Sequence, residues 1–193
     1  MNFIPPIAAW ICVVIAAIAA LTDSRTGKIP NWLTFSGMAL GPILWAVYGG
    51  FRALATWPMG ASFLGSLLSG LGCGGVLYFG LHRKRMTGGE SAIGLGDVKL
   101  FAALGAVGLV HLGMEAMFYS VCVATAVALT QLAWRGMLLT TLANAVFIMF
   151  NPILPKARRR EISRENLSKL RFGPPIFLGT LIAVLSERAN RFF

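Results

Sequence analysis

Apolar runs of about twenty residues recur along this chain, and they decide what it can become. They lie at about 3–22, 33–50, 60–81, 98–113, 114–134 and 173–187. A helix needs roughly 20 apolar residues to cross a bilayer's hydrocarbon core. Inside lipid every backbone polar group must find its partner within the protein, which helices achieve on their own. Only 12% of the residues are charged, against about a quarter in a soluble domain. The expected fold class is therefore all-α: one integral membrane domain over residues 1–193, a polytopic bundle of about six transmembrane helices plus a short interfacial or cytoplasmic helix. The opening run "MNFIPPIAAWICVVIAAIAAL" has no basic segment ahead of it and is long for a signal peptide, so it is read as a retained first span.

The net charge of +10 first raises the question of nucleic acid. No nucleic-acid-binding motif accompanies it, and basic residues in a membrane protein mark cytoplasmic loops. A seventh apolar run, 137–150, is short for a span. If it does not cross, 14 Lys and Arg fall on one side and 3 on the other; if it crosses, the split is 9 against 8. The positive-inside rule favours the first arrangement, with 137–150 as an interfacial helix or a continuation of the fifth span. The stretch "GMEAM", 113 to 117, is read as the turn between spans four and five. Gly37 and Gly41, and Gly70 and Gly74, stand four apart, a spacing that lets helices approach closely.

The chain holds two aspartates, Asp23 and Asp97. Asp23 follows span one and Asp97 opens span four, so opposite helix polarity puts both at the same, cytoplasmic, membrane depth. Either alone could be a solvated boundary residue. Two carboxylates at one level can meet, and like charges in contact share one proton. Such a pair can take a proton from water with one carboxylate and donate one to a peptide carbonyl with the other. Asp97 sits at a helix N-terminus, which favours its ionised form; Asp23 sits at a C-terminus, which does not.

Gly94 and Gly96 precede Asp97. Without Cβ atoms they permit unusual backbone angles and let a backbone or a substrate strand come close. In "DSRTGKIPNWLTF", residues 23 to 35, Pro30 biases Ile29 toward an extended conformation. Asn31 is placed to cap span two, and the short loop tethers Asp23 nearby. Lys99 points away from Asp97 on a regular helix and is read as snorkelling to the interface. Arg25 and Lys28 are read as positive-inside anchors, and Glu90 as a solvated loop acid. Cys12, Cys73 and Cys122 form no CxxC pair, and His82 and His111 form no HExxH. No metal or organic cofactor is expected, and the thiols are read as buried small apolar groups.

Taken together these residues resemble the type IV prepilin peptidase family, membrane aspartic proteases with a Gly-x-Gly-Asp motif. The resemblance rests on Asp23 with Ile29-Pro30-Asn31, on Gly94-Leu95-Gly96-Asp97-Val98-Lys99, and on Phe172-Gly173-Pro174 opening the last span. It implies that Asp23 and Asp97 are catalytic, with Gly94, Gly96, Lys99, Ile29, Pro30 and Asn31 as supporting motif residues. It further implies prepilin or pseudopilin substrates with a short basic leader, cut at the cytoplasmic face of a prokaryotic inner membrane. The small size resembles the short branch that processes tight-adherence (Flp-type) pilins, which implies cleavage without N-methylation. Arg171 stands where relatives often have proline, and Leu95 where they often have glycine.

Two other classes stay open on sequence alone. A small proton- or cation-coupled transporter would use the same aspartates, but the spans are nearly free of midplane polar residues. A non-enzymatic pilus-assembly subunit would bind a prepilin and leave it uncut. Presenilin-like proteases pair their Gly-x-Gly-Asp with Tyr-Asp and Pro-Ala-Leu motifs, which this chain lacks.

Overall fold

The apolar runs become helices in the computed structural model, which describes residues 5–49, 62–85, 94–136 and 171–189. The helices are α1 (Pro6–Thr26), α2 (Asn31–Gly49), α3 (Phe63–Arg85), α4 (Leu95–Trp134) and α5 (Gly173–Ala189). Among the described residues there is no strand. Pro6 starts α1 at the position where a missing N–H costs nothing. Gly27 ends it in the left-handed conformation (φ 66°), its N–H closing on the Asp23 carbonyl at 2.8 Å.

The chain separates into two compact units, Met1–Val123 with Arg171–Phe193, and Ala124–Leu170. The packing and the site below belong to the first. In the second, the described residues are the end of α4 and its stop at Gly136 (φ 65°). The run 137–150, Glu90, and the basic stretch up to Leu170 lie outside the described residues.

By length and composition α1 and α4 can each cross a membrane, and the apolar part of α3, Phe63–Phe79, is shorter. That measure does not reach six spans. Asn31, Trp32, Pro42 and Tyr48 dilute the hydropathy of α2, and α5 has 17 residues. The outward faces are nonetheless apolar: Val47, Leu71 and Phe79 are 79%, 71% and 74% exposed. Such a surface suits lipid and not water.

The boundary between the expected fourth and fifth spans is corrected. "GMEAM" is helical, and α4 breaks earlier, at Leu109 (φ 60°, ψ 177°). The chain folds back there. An ideal Cβ on Gly113 would lie 2.9 Å from Gly105 Cα, whereas eight residues of straight helix would separate them by about 12 Å. Small residues make the reversal possible at this point. Cys73 Sγ borders both glycines, 2.7 Å and 2.8 Å from where Cβ atoms on Gly105 and Gly113 would stand.

The first arm of α4, residues 95–108, is the centre of the first unit. Leu100, Phe101, Ala103, Leu104 and Val107 are all buried. The two glycine pairs pack against this arm as their spacing predicts. Cβ atoms on Gly37 and Gly41 would strike Ala103 and Ala106; on Gly70 and Gly74 they would strike Ala102 and Ala106. Where the arm ends, helical backbone partners run out, and side chains from three helices supply donors instead. Trp45 Nε1 donates to Val107 O (2.8 Å), Ser66 Oγ to Ala106 O (2.6 Å) and Cys12 Sγ to Leu104 O (3.8 Å). α5 lies antiparallel to α1: Gly173 meets Asp23 at one end, and Arg188 stacks on the Trp10 ring at the other. Cys12 and Cys73 are buried, but Cys122 is exposed. It shares the outward face of α4 with Val121 and Phe118, so the expectation of burial fails for that thiol.

Candidate active site

Asp97 occupies the first turn of α4 and Asp23 the last turn of α1. Their positions are 74 apart in sequence (97 − 23), yet Asp23 is one of the charges felt at Asp97. Both are buried, at 7% and 9% residual exposure. A buried carboxylate requires hydrogen bonds, and each finds a backbone donor.

Asp97 is held by its own helix start. The Gly94 N–H donates to Asp97 Oδ2 at 3.1 Å, while the Gly94 carbonyl accepts from the Asp97 N–H at 3.1 Å. The side-chain bond is one half of a capping box, the residue three positions on reaching back to the cap N–H, while glycine, lacking a side chain, offers only its carbonyl in return. Capping alone would account for a carboxylate at position 97. It does not account for a second buried carboxylate, at the end of α1, whose charge reaches Asp97.

Asp23 has the harder position, because the carbonyl end of its own helix repels negative charge. The N-terminus of α5 offsets this. The Gly173 N–H donates to Asp23 Oδ2 at 2.9 Å. A Cβ on Gly173 would lie 2.7 Å from Asp23 Cβ and 2.8 Å from Oδ2, so the carboxylate occupies the space that a side chain would fill. Alongside, the Arg171 guanidinium donates to the Ser24 carbonyl, a cation placed at a helix C-terminus.

The remaining motif residues tie the loop between α1 and α2 to the start of α4. Gly96 faces Ile29: a Cβ there would come within 3.3 Å of Ile29 Cβ. Neither Gly94 nor Gly96 takes positive φ, so their use lies in close approach and not in unusual backbone angles. Pro30 precedes α2, and Asn31 is its first residue. Asn31 Oδ1 accepts from Lys99 Nζ at 3.1 Å, and the same ammonium lies 5.4 Å from the Phe35 ring centroid. Lys99 therefore reaches across to α2, where sequence reasoning expected it to snorkel and Asn31 to cap. Arg25 and Lys28 are exposed. Among the described residues no three His, Cys, Asp or Glu side chains gather as a metal site.

Gly173 and Arg171 are the contacts that position-by-position reading missed. The motif Phe172-Gly173-Pro174 signalled that the start of α5 mattered, but nothing in its letters pointed to Asp23.

The model of the Type IV leader peptidase family matches residues 10–153, well over half of the chain. The chain belongs to that family. No curated protein and no solved structure was found to match. As a member of the type IV leader peptidase family the protein is a membrane enzyme, a peptidase whose family acts on prepilins. The matched residues include both aspartates and the first arm of α4, and they stop short of α5.

Proposed function

We propose that the protein is a leader endopeptidase in which Asp23 and Asp97 act as one pair on a water molecule. The observation that supports this reading is that both carboxyls are buried, at the end of α1 and the start of α4, with the charge of Asp23 reaching Asp97. With Oδ2 of each held by a glycine N–H, Oδ1 of each is the oxygen that works. One carboxylate takes a proton from water as the water attacks the scissile carbonyl. The other, protonated, donates to the carbonyl oxygen. Collapse of the tetrahedral intermediate passes a proton to the leaving amine and restores the shared proton. Neither step calls on a cofactor.

The substrates are prepilins or pseudopilins whose basic leader lies in the cytoplasm and whose apolar helix stays in lipid. The excess of Lys and Arg in the segments on the aspartates' side of the spans supports the cytoplasmic face of a prokaryotic inner membrane as their location. Six crossings are our reading of the topology, supported by the reversal at Leu109, which divides α4 into two arms.

Co-expression with a candidate prepilin tests the reading. Mass spectrometry of the pilin is expected to show loss of the leader when the peptidase is present. A pilin that keeps its leader while co-purifying with the protein would make the chain a binding subunit and end the peptidase reading.

A further inference from the structure

We propose that Gly173 is a positioning residue for this reaction: its N–H fixes one oxygen of Asp23, and its missing side chain forms the seat in which that carboxylate lies. The inference rests on the peptidase reading above. It comes from α5, beyond the residues that the family model matches.

Three observations converge. The Gly173 N–H is the donor given to Asp23 Oδ2, at 2.9 Å, and both residues are buried. The space beside Gly173 is already filled by Asp23, whose Cβ, Oδ2 and Cγ stand 2.7, 2.8 and 3.1 Å from where a Cβ would be. The junction is also anchored on either side. Arg171 donates to the Ser24 carbonyl, and the Phe172 carbonyl accepts from the Ile176 N–H at 3.1 Å, closing the first turn of α5. Asp23 thus cannot take its present position unless α5 begins here with a residue lacking a side chain. Ordinary helix energetics predict the opposite preference, since alanine is favoured over glycine within a helix.

The test measures cleavage of a prepilin by the full-length protein in detergent, comparing wild type, Asp23→Asn, Gly173→Ala, Arg171→Ala and Arg171→Lys. Wild-type cleavage together with an inactive Asp23→Asn variant establishes the peptidase reading, independently of what Gly173 does. If wild type does not cut, that reading fails and this inference fails with it. Gly173→Ala moves Asp23 by a fraction of an ångström to about 1 Å. Its kcat is expected to fall ten- to about a hundredfold, with KM within about twofold and the protein still folded at the assay temperature, its thermal unfolding temperature lowered by overpacking as for other crowded glycines. Folded Gly173→Ala with wild-type kcat overturns the inference, as does a loss confined to KM. If Gly173→Ala does not fold, the Arg171 pair decides. A lowered kcat in Arg171→Ala that Arg171→Lys restores supports the seat, and wild-type kcat in Arg171→Ala overturns it.

Discussion

Lys99 Nζ lies 3.1 Å from Asn31 Oδ1, joining the second turn of α4 to the first residue of α2. The bond spans 68 positions of sequence, and it ties Asp97's helix to the loop that follows Asp23. Lys99→Met removes the donor and keeps most of the apolar stem. Exposed bonds of this kind contribute about 0.5–1.5 kcal/mol, so thermal stability should change little. Activity should fall more, by about three- to tenfold, because the loop loses a tether to the helix that bears Asp97. Asn31→Ala should fall to a similar level, and the double variant no further. Additive losses in the double variant would show that the two side chains act separately.

The end of the first arm of α4 depends on donors that belong to other helices. Trp45→Phe and Ser66→Ala each leave a buried carbonyl, Val107 O or Ala106 O, without its side-chain donor. Each should lower stability by about 0.5–2 kcal/mol, measured by unfolding in mixed micelles. A neutral result for both would mean that these carbonyls find other partners.

Glycines within a single helix should respond in opposite directions. A Cβ on Gly70 would come 2.9 Å from Ala102 O and 3.0 Å from Ala106 Cβ, whereas one on Gly72 meets nothing within 4 Å. Gly70→Ala should therefore destabilise the protein by about 1–3 kcal/mol through overpacking. Gly72→Ala should be neutral or stabilise it by up to about 1 kcal/mol through helix propensity. Equal responses would mean that α3 does not approach α4 through Gly70.

Much of this architecture was legible in the letters. Apolar run length announces the helices, and the four-residue spacing of Gly37 with Gly41 and of Gly70 with Gly74 announces close packing. Opposite helix polarity announces that Asp23 and Asp97 share an end. The break at Leu109 was not legible, because a reader looks for turns at polar residues such as Glu115. The real turn sits where Gly105 and Gly113 can touch, a tertiary condition. Lys99's partner was hidden for a related reason: sequence gives the direction in which a side chain leaves its own helix, but not what another helix places there. The bond from Gly173 to Asp23 is the extreme case. It is a backbone donor, present at nearly every residue, and only the fold selects which one is used.

The central claim is that Asp23 and Asp97 form one reactive unit, and the turnover of Asp23→Asn, Asp97→Asn and the double variant on a purified prepilin tests it most directly. Groups that act as a unit fail together, so each single variant should drop by at least about a thousandfold, to the floor set by the double variant, while remaining folded. A single variant that still removes the leader at the wild-type rate would contradict the account.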